Sequence, residues 1–324
     1  QAYEFFDMDP VIYVSPDFRY DPKDLARWVE TQVDQGTDAD GSHHWTVTIE
    51  TPDGDLRYSA ARNRFTQWVT KPLLSDERDM EIWLRHCPTP VEVDWTPVLE
   101  AKRRIGDRGI VRGAHFHFGQ GGAWQSYCML RDTEAAIFDC YDRPDMVHRM
   151  LEGLLRRMLA AIERGGPIPF DLVETGGGAG SSTVISPDMH REFCLPYDIR
   201  QHAALRAHGT KSVYHLCGGL MPLLEIVAEN GADGLETMTP ASMGGDCRLA
   251  EARRRVGDRL FFIGGFDQNA GFEQGDAETV ETMVRALFEA CPDGGYICSP
   301  SDHFFFGHPD NIRAFVRACR ACAY

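Results

Sequence analysis

His215 and Cys217 are the residues in this sequence whose types and spacing most directly suggest chemistry. They stand two residues apart in the segment 212–219, SVYHLCGG, which predicts a short strand that runs into a glycine turn. Alternate side chains of a strand point to the same face, so the imidazole and the thiol project together. Both are groups that zinc prefers as ligands. The two residues are therefore predicted to be a pair of metal ligands at the C-terminal end of a strand, where α/β proteins carry their active sites.

A second strand-like run, over residues 295–300, contains Cys298. Catalytic zinc sites use three protein ligands and keep one coordination position for water or substrate. We predict such a site from His215, Cys217 and Cys298. The alternative is a buried histidine that bonds to the backbone beside two structural thiols, because free cysteine is often simply buried.

Glu174 ends another predicted strand, over residues 170–175, which should lie close to the strand of His215. We predict that its carboxylate is a fourth zinc ligand that a substrate thiolate or ether oxygen displaces, and that it takes part in catalysis. Two alternatives stay open. Glu174 could orient a zinc-bound histidine without binding the metal itself, or it could cap the turn that follows.

Four more polar side chains stand near the ends of predicted strands and are predicted to act as acids or bases. They are Glu236, Asp267, Asp302 and His303. Acid and base catalysis needs carboxylates or imidazoles in fixed positions. The alternative for each is a solvated side chain that caps a loop.

His115 and His117 alternate on a predicted strand, in the run Ala114-His115-Phe116-His117-Phe118. No cysteine or acid stands beside them, so we predict that they line the barrel and contact cofactor or substrate instead of binding the metal.

From about residue 95 onward, predicted strands alternate with predicted helices of ten to twenty residues. This alternation indicates parallel βαβ units. The glycine run 176–180 has neither the spacing of a dinucleotide fingerprint nor the lysine of a phosphate loop, so a closed α/β barrel is favoured over an open nucleotide-binding sheet. The strands are predicted at 110–118, 170–175, 212–217, 234–238, 260–264 and 296–299.

The first 94 residues predict an elaboration in front of the barrel core. Apolar residues at helical spacing predict an amphipathic helix over 24–35, and alternating segments on both sides of the turn-rich 51–55 predict a β-hairpin. We treat the chain as one domain, with the elaboration over 1–94 and the barrel core over 95–324.

Charge and cysteine content exclude several classes of protein. A formal net charge of −16 argues against a nucleic-acid partner, which requires a concentrated basic surface. Ten scattered cysteines in 324 residues are too sparse for a secreted disulfide scaffold, so we expect reduced thiols and a cytoplasmic protein. No apolar run reaches the roughly 20 residues of a membrane span, so no membrane partner is expected.

The sequence resembles the uroporphyrinogen decarboxylase superfamily, and within it the zinc-dependent methyltransferases of corrinoid systems. The resemblance rests on four segments and on the early hairpin followed by Lys71-Pro72-Leu73. The four segments are 214–218 (YHLCG), 233–236 (DGLE), 264–267 (GGFD) and 295–298 (GYIC).

This resemblance implies an α/β fold of the (β/α)8 TIM-barrel type with zinc on His215, Cys217 and Cys298. It also implies methyl transfer between a corrinoid (cobalamin), supplied by a partner corrinoid protein, and a small molecule. The small molecule would be a thiol acceptor such as coenzyme M or a methoxylated donor, which makes an O-demethylase component one form of the activity. Zinc can hold a thiol as thiolate or act as a Lewis acid on an ether oxygen.

Two other functions are alternatives to methyl transfer. A decarboxylase acting on a tetrapyrrole or other polycarboxylate would carry an arginine-rich Arg-Gln-Ala-Gly-Arg segment near its start, which this sequence does not show. A corrinoid carrier module would carry an Asp-x-His-x-x-Gly run, and this run is also absent from the sequence.

Overall fold

A seven-stranded parallel sheet forms the centre of the computed structural model, which describes residues 2–114 and 121–322. Its strands follow one another in chain order, and every neighbouring pair is parallel. The strands are β1 (Val11–Tyr13), β8 (Ile110–Ala114), β9 (Leu172–Gly176), β10 (Lys211–His215), β11 (Gly234–Thr237), β12 (Phe261–Phe266) and β13 (Tyr296–Pro300).

Helices connect these strands, which makes the fold a parallel α/β fold of the barrel type. The pairings among the described residues comprise seven strands, without the eighth strand or the closing β1–β13 contact of the predicted (β/α)8 barrel. The helices from β8 onward are α5 (Ala123–Arg131), α6 (Thr133–Asp142), α7 (Pro144–Gly165), α8 (Pro187–Phe193), α9 (Leu195–Ala207), α10 (Leu224–Glu229), α11 (Leu249–Val256), α12 (Ala277–Glu289) and α13 (Pro309–Ala321).

The N-terminal part adds two small antiparallel sheets. One pairs β2 (Asp17–Tyr20) with β7 (Pro90–Asp94), and the other has the order β3 (Val29–Thr37), β4 (His43–Glu50), β5 (Leu56–Arg62), β6 (Gln67–Lys71). The predicted hairpin is confirmed, because β4 and β5 pair on both sides of the turn. The remaining helices are α1 (Ala2–Phe6), α2 (Pro22–Leu25), α3 (Glu77–His86) and α4 (Thr96–Ile105).

The helix predicted over 24–35 is wrong. Helix α2 ends at Leu25, and the chain then forms β3, an edge strand that is exposed along its whole length. Val29 and Val33 are four residues apart, a spacing that belongs to both a helical and a strand period. Here the β-branched side chains and the pairing with β4 favour the strand.

One strand of the main sheet comes from the N-terminal part. β1 pairs with β8 through Val11 opposite Ile110 and Tyr13 opposite Arg112. The segment 1–94 therefore contributes directly to the sheet that carries the strand ends. Within the described residues, none of the helices combines the length and the apolar content needed to cross a bilayer.

A buried hydrogen bond anchors β10 to the helix layer. The Tyr214 hydroxyl donates to Asp198 Oδ2 on α9 at 2.7 Å, and both side chains are buried. Burial raises the pKa of Asp198 from 3.8 to about 7, although the hydrogen bond from Tyr214 opposes the rise. Tyr214 directly precedes His215, so this contact holds the strand end that carries the histidine.

The raised pKa of Asp198 predicts a fall in stability with rising pH. Between about pH 4 and pH 7 the folded chain holds a proton on Asp198 that the unfolded chain has released. The free energy of unfolding should therefore decrease across this window, by ~1.4 kcal/mol for each tenfold difference in proton affinity. Urea denaturation at stepwise pH measures this contribution.

Asp198→Asn should remove this decrease, so the variant should gain stability relative to the wild type as pH rises to 7. Asp258→Asn, which changes a carboxylate that is 83% exposed, is the control. Parallel pH profiles for the wild type and Asp198→Asn would contradict the prediction.

Candidate metal centre

Four charged or ionisable side chains meet at the carboxyl ends of β8 to β11. They are Arg112, Glu174, His215 and Glu236, and the sheet register explains their proximity. Ala114, two residues beyond Arg112, lies opposite Glu174, while His215 lies opposite Glu236. Parallel strands end at the same edge of a sheet, so residues far apart in the chain converge there.

Arg112 bonds to both carboxylates. Its Nη1 donates to Glu236 Oε2 at 2.7 Å, and its Nη2 donates to Glu236 Oε1 at 2.7 Å and to Glu174 Oε2 at 2.8 Å. The three residues are only 4% to 7% exposed. Buried charges persist when they are paired and hydrogen-bonded, and the fork of a guanidinium suits a carboxylate.

His215 completes the cluster through its Nδ1, which lies 3.0 Å from Glu236 Oε1 and 3.7 Å from Glu174 Oε1. Burial alone lowers the pKa of His215. Hydrogen bonds with Cys217 and Glu236, together with the charges of Glu236 and Glu174, outweigh burial and raise the pKa to about 10. The imidazole is therefore a cation at neutral pH when no metal is bound.

Glu236 shows the opposite balance. Burial raises the pKa of its carboxyl group, but the hydrogen bonds and charges of His215 and Arg112 outweigh burial and lower the pKa to about 2. Glu236 therefore stays ionised. It connects the arginine to the histidine through the shared oxygen Oε1.

Tyr13 also bonds to the carboxylate of Glu174, which Arg112 contacts. Its hydroxyl donates to Glu174 Oε2 at 3.0 Å, and its ring centroid lies 4.8 Å from the guanidinium carbon of Arg112. Its side chain remains largely exposed, with 61% of the residue surface accessible. Glu174 is thus fixed through Oε2, whereas Oε1 is the oxygen nearer to His215.

Cys217 follows β10, and its interaction with His215 contributes to the raised pKa of that imidazole. The neighbouring turn approaches the thiol closely, since a Cβ on Gly178 would lie 2.5 Å from Cys217 Sγ. A larger residue than glycine at this position would displace the sulfur. The glycine run after β9 therefore serves to bring the backbone close to the thiol.

Cys298 is not brought to this cluster. Its side chain packs against the buried cluster of β12, α12 and α13, and it interacts with Cys319 on α13 and with Tyr296, whose pKa values it helps to raise. Cys298 and Tyr296 are two residues apart on β13 and so lie on the same face of the strand. The assignment of Cys298 as a zinc ligand stays a prediction.

A metal could be held by the carboxylates and the histidine. In the described part of the chain, Glu174, His215 and Glu236 are the set of His, Cys, Asp or Glu side chains whose ligand atoms all lie within 4.8 Å of one another. Imidazole and carboxylate are both zinc ligands, and the triad is largely buried. The chemistry of the donors therefore fits a divalent metal.

The other predicted site residues lie outside the cluster. Asp267 caps a turn, since its Oδ1 accepts from the backbone of Ala270 and its Oδ2 from the Ser242 hydroxyl. Asp302 accepts from the backbone and ring of His303, and both side chains are exposed. His115 and His117 lie outside the described residues.

Arg112 and Tyr13 are part of the cluster but are not among the predicted site residues. A signal for Arg112 was present, because an arginine inside the apolar strand 110–114 requires a buried counter-charge. Tyr13 gave no such signal, since its bond to Glu174 joins residues 161 positions apart.

Comparison with known proteins identifies the family. Residues 88–322 match the family described as uroporphyrinogen decarboxylase (URO-D). The chain belongs to this family.

The uroporphyrinogen decarboxylase of Cupriavidus necator is 31% identical over 241 residues, which cover 68% of this chain and 61% of that protein. That of Neisseria meningitidis serogroup C is 32% identical over 184 residues, 54% of this chain and 46% of that protein. The matches thus span about half to three fifths of these relatives.

A solved structure shares the fold of this URO-D family member. A methyltransferase from Methanosarcina mazei superposes with a TM-score of 0.58 at 15% sequence identity, over 80% of this chain and 72% of that one. At this identity the likeness shows the fold and not the reaction.

Glu236→Gln should lower the pKa of His215. The amide keeps the shape of the carboxylate but removes the charge that favours the imidazolium. NMR titration of the histidine ring in the metal-free protein should show His215 losing its proton at clearly lower pH than in the wild type.

Glu152→Gln is the matched control, because this carboxylate pairs with Arg200 on the surface. An unchanged His215 titration in Glu236→Gln would show that the contact with Glu236 does not govern the ring.

Proposed function

We propose that the protein is a zinc-dependent methyltransferase that moves a methyl group between a corrinoid on a partner protein and a thiol or methoxylated small molecule. The observation that supports it is the His215 imidazole, which lies within 3.7 Å of two buried carboxylates at the carboxyl ends of the strands, with Cys217 two residues further along the chain. This edge is where α/β barrels carry out their reactions. The fold shared with a methyltransferase from Methanosarcina mazei is consistent with this reaction class.

His215, Cys217 and Glu174 are the proposed ligands. Glu236 accepts from His215 Nδ1, which leaves Nε2 as the nitrogen that would bind a metal. This is the common arrangement in which a carboxylate orients a zinc-bound histidine. Glu236 Oε1 is already shared by Arg112 and His215, so a positioning role suits this residue better than ligation.

Zinc bound here would hold a substrate thiol as thiolate or polarise a methoxy oxygen. The residues of the chain prepare the site for this chemistry. Tyr13 and Arg112 fix Glu174 through one oxygen, and Glu236 keeps the imidazole in one orientation. The corrinoid protein would approach over the same edge of the sheet, with the exposed Asp302 and His303 beside it.

Decarboxylation of a polycarboxylate is the second candidate, and the names of the relatives favour it. The charge of the cluster argues against it. Binding several carboxylates needs cations that are free to bond, and two of the four cluster residues are glutamates. Arg112 already donates to three oxygens within the chain. We therefore expect no coproporphyrinogen when the protein is incubated with uroporphyrinogen, as measured by chromatography of the oxidised porphyrins.

Loss of either His215 or Cys217 should weaken zinc binding. The wild type should bind about one zinc per chain, as a catalytic site does. His215→Ala and Cys217→Ser should bind it at least tenfold more weakly, ~1.4 kcal/mol or more. Metal analysis and chelator competition measure the binding, and demethylation of methylcobalamin in the presence of thiols measures the activity.

Cys322→Ser is the control, since it changes a thiol at the end of α13. Full zinc content and activity in Cys217→Ser would refute the proposed ligand set.

Cys298→Ser decides between the ligand set proposed here and the two-cysteine set implied by the resemblance. Because Cys298 packs against Cys319 and Tyr296, we expect the variant to retain zinc. Loss of zinc from this variant, with the fold intact by circular dichroism, would instead establish Cys298 as a ligand.

A further inference from the structure

Arg112 bonds to the two carboxylates whose negative charge would attract a metal to this site. The two carboxylates of the triad Glu174, His215 and Glu236 are the same two that receive the three hydrogen bonds from Arg112. A dication placed among these ligand atoms would therefore lie close to the guanidinium. Like charges at this distance in a buried site repel strongly, because little water is present to screen them.

The metal-free chain needs a cation in this position. Glu174 and Glu236 offer oxygens within 4.8 Å of one another, and both are at most 7% exposed. Two carboxylates that share a buried site repel each other unless a positive charge lies between them. Arg112 supplies that charge, although its own Nε is buried and makes no hydrogen bond within the described part of the chain. The guanidinium is thus bound to the carboxylates but only partly satisfied.

We propose that Arg112 is an internal counter-cation that stabilises the metal-free site, and that it competes with zinc for the ligand Glu174 and for the negative charge of Glu236, and so sets the metal affinity. This inference rests on the proposed metal-dependent function. Arg112 is a positioning residue, since it acts on the metal through the two carboxylates. Removal of its charge leaves the carboxylates to repel each other, and a bound metal then relieves that repulsion.

Arg112→Met tests the competition. Methionine keeps an unbranched apolar stem of similar width and removes the guanidinium. The variant should bind zinc at least tenfold more tightly than the wild type in competition with a chromophoric chelator. Its metal-free form should unfold at a lower temperature than the wild type, and added zinc should raise its unfolding temperature by more than it raises that of the wild type.

Arg157→Met is the matched control. Arg157 is also a buried arginine, 5% exposed, and its guanidinium carbon lies 4.3 Å from the Trp83 ring centroid. Its hydrogen bonds go to backbone carbonyls, including those of Cys87 and Gly153. This variant should unfold at a lower temperature with unchanged zinc affinity, which separates the loss of a buried arginine from the loss of the competitor.

Arg112→Lys covers the case in which the methionine variant does not fold. A single ammonium cannot span the three oxygens that the fork of Arg112 reaches, so zinc affinity should still rise, by less than in Arg112→Met. Zinc affinity equal to or weaker than that of the wild type, in whichever of the two variants folds, would overturn the proposal. It would mean that Arg112 supports the ligands and does not compete with the metal.

The failure of this inference is distinguishable from failure of the proposed function. If the wild type binds zinc and transfers methyl groups while the Arg112 variants bind no more tightly, only the role of Arg112 is refuted. If neither the wild type nor any Arg112 variant binds zinc, both proposals are refuted.

Discussion

The ion pair network of Arg112 with Glu174 and Glu236 is the interaction on which the rest of the site depends. Two buried carboxylates at one edge of a sheet are stable only with positive charge beside them. Arg112 supplies one charge and the imidazolium of His215 the other, so the cluster is balanced without a metal. Any cofactor that enters must replace part of this balance.

The sheet provides the geometry for the network. Neighbouring parallel strands present Arg112, Glu174, His215 and Glu236 at one edge, and the short strand β1 adds Tyr13 from the N-terminal part. Each side chain is held by at least one other from a different strand. A shift of one residue in the register of any of these strands would turn its functional side chain to the opposite face.

Membership in the URO-D family leaves more than one reaction open, because function resides in the site and not in the fold. In this chain the described cluster contains two carboxylates, one arginine that already bonds to both of them, and a histidine two residues before a cysteine. That set is suited to holding a metal and poorly suited to binding a substrate rich in carboxylates. The chemistry of the cluster is therefore a better guide to the reaction than the names of relatives at about 31% identity.

The sequence by itself determined the alternation of strands and helices, and it placed Glu174, His215 and Glu236 at strand ends that meet. This was possible because hydrophobic periodicity can be recognised within a short segment, and because the carboxyl ends of parallel strands always lie on the same side of a sheet. The edge strand β3 shows the limit of those rules, since a spacing of four residues fits both a helix and a strand.

Only the tertiary structure decided which charges pair and which way the cysteines face. The bonds of Arg112 and Tyr13 join residues 62 to 161 positions apart, and no local pattern encodes such partners. Cys298 lies near a strand end, as predicted, but the alternation along β13 turns it toward Cys319. The face of the sheet to which a side chain points depends on which side of the sheet the helices cover, and packing across the whole chain determines this.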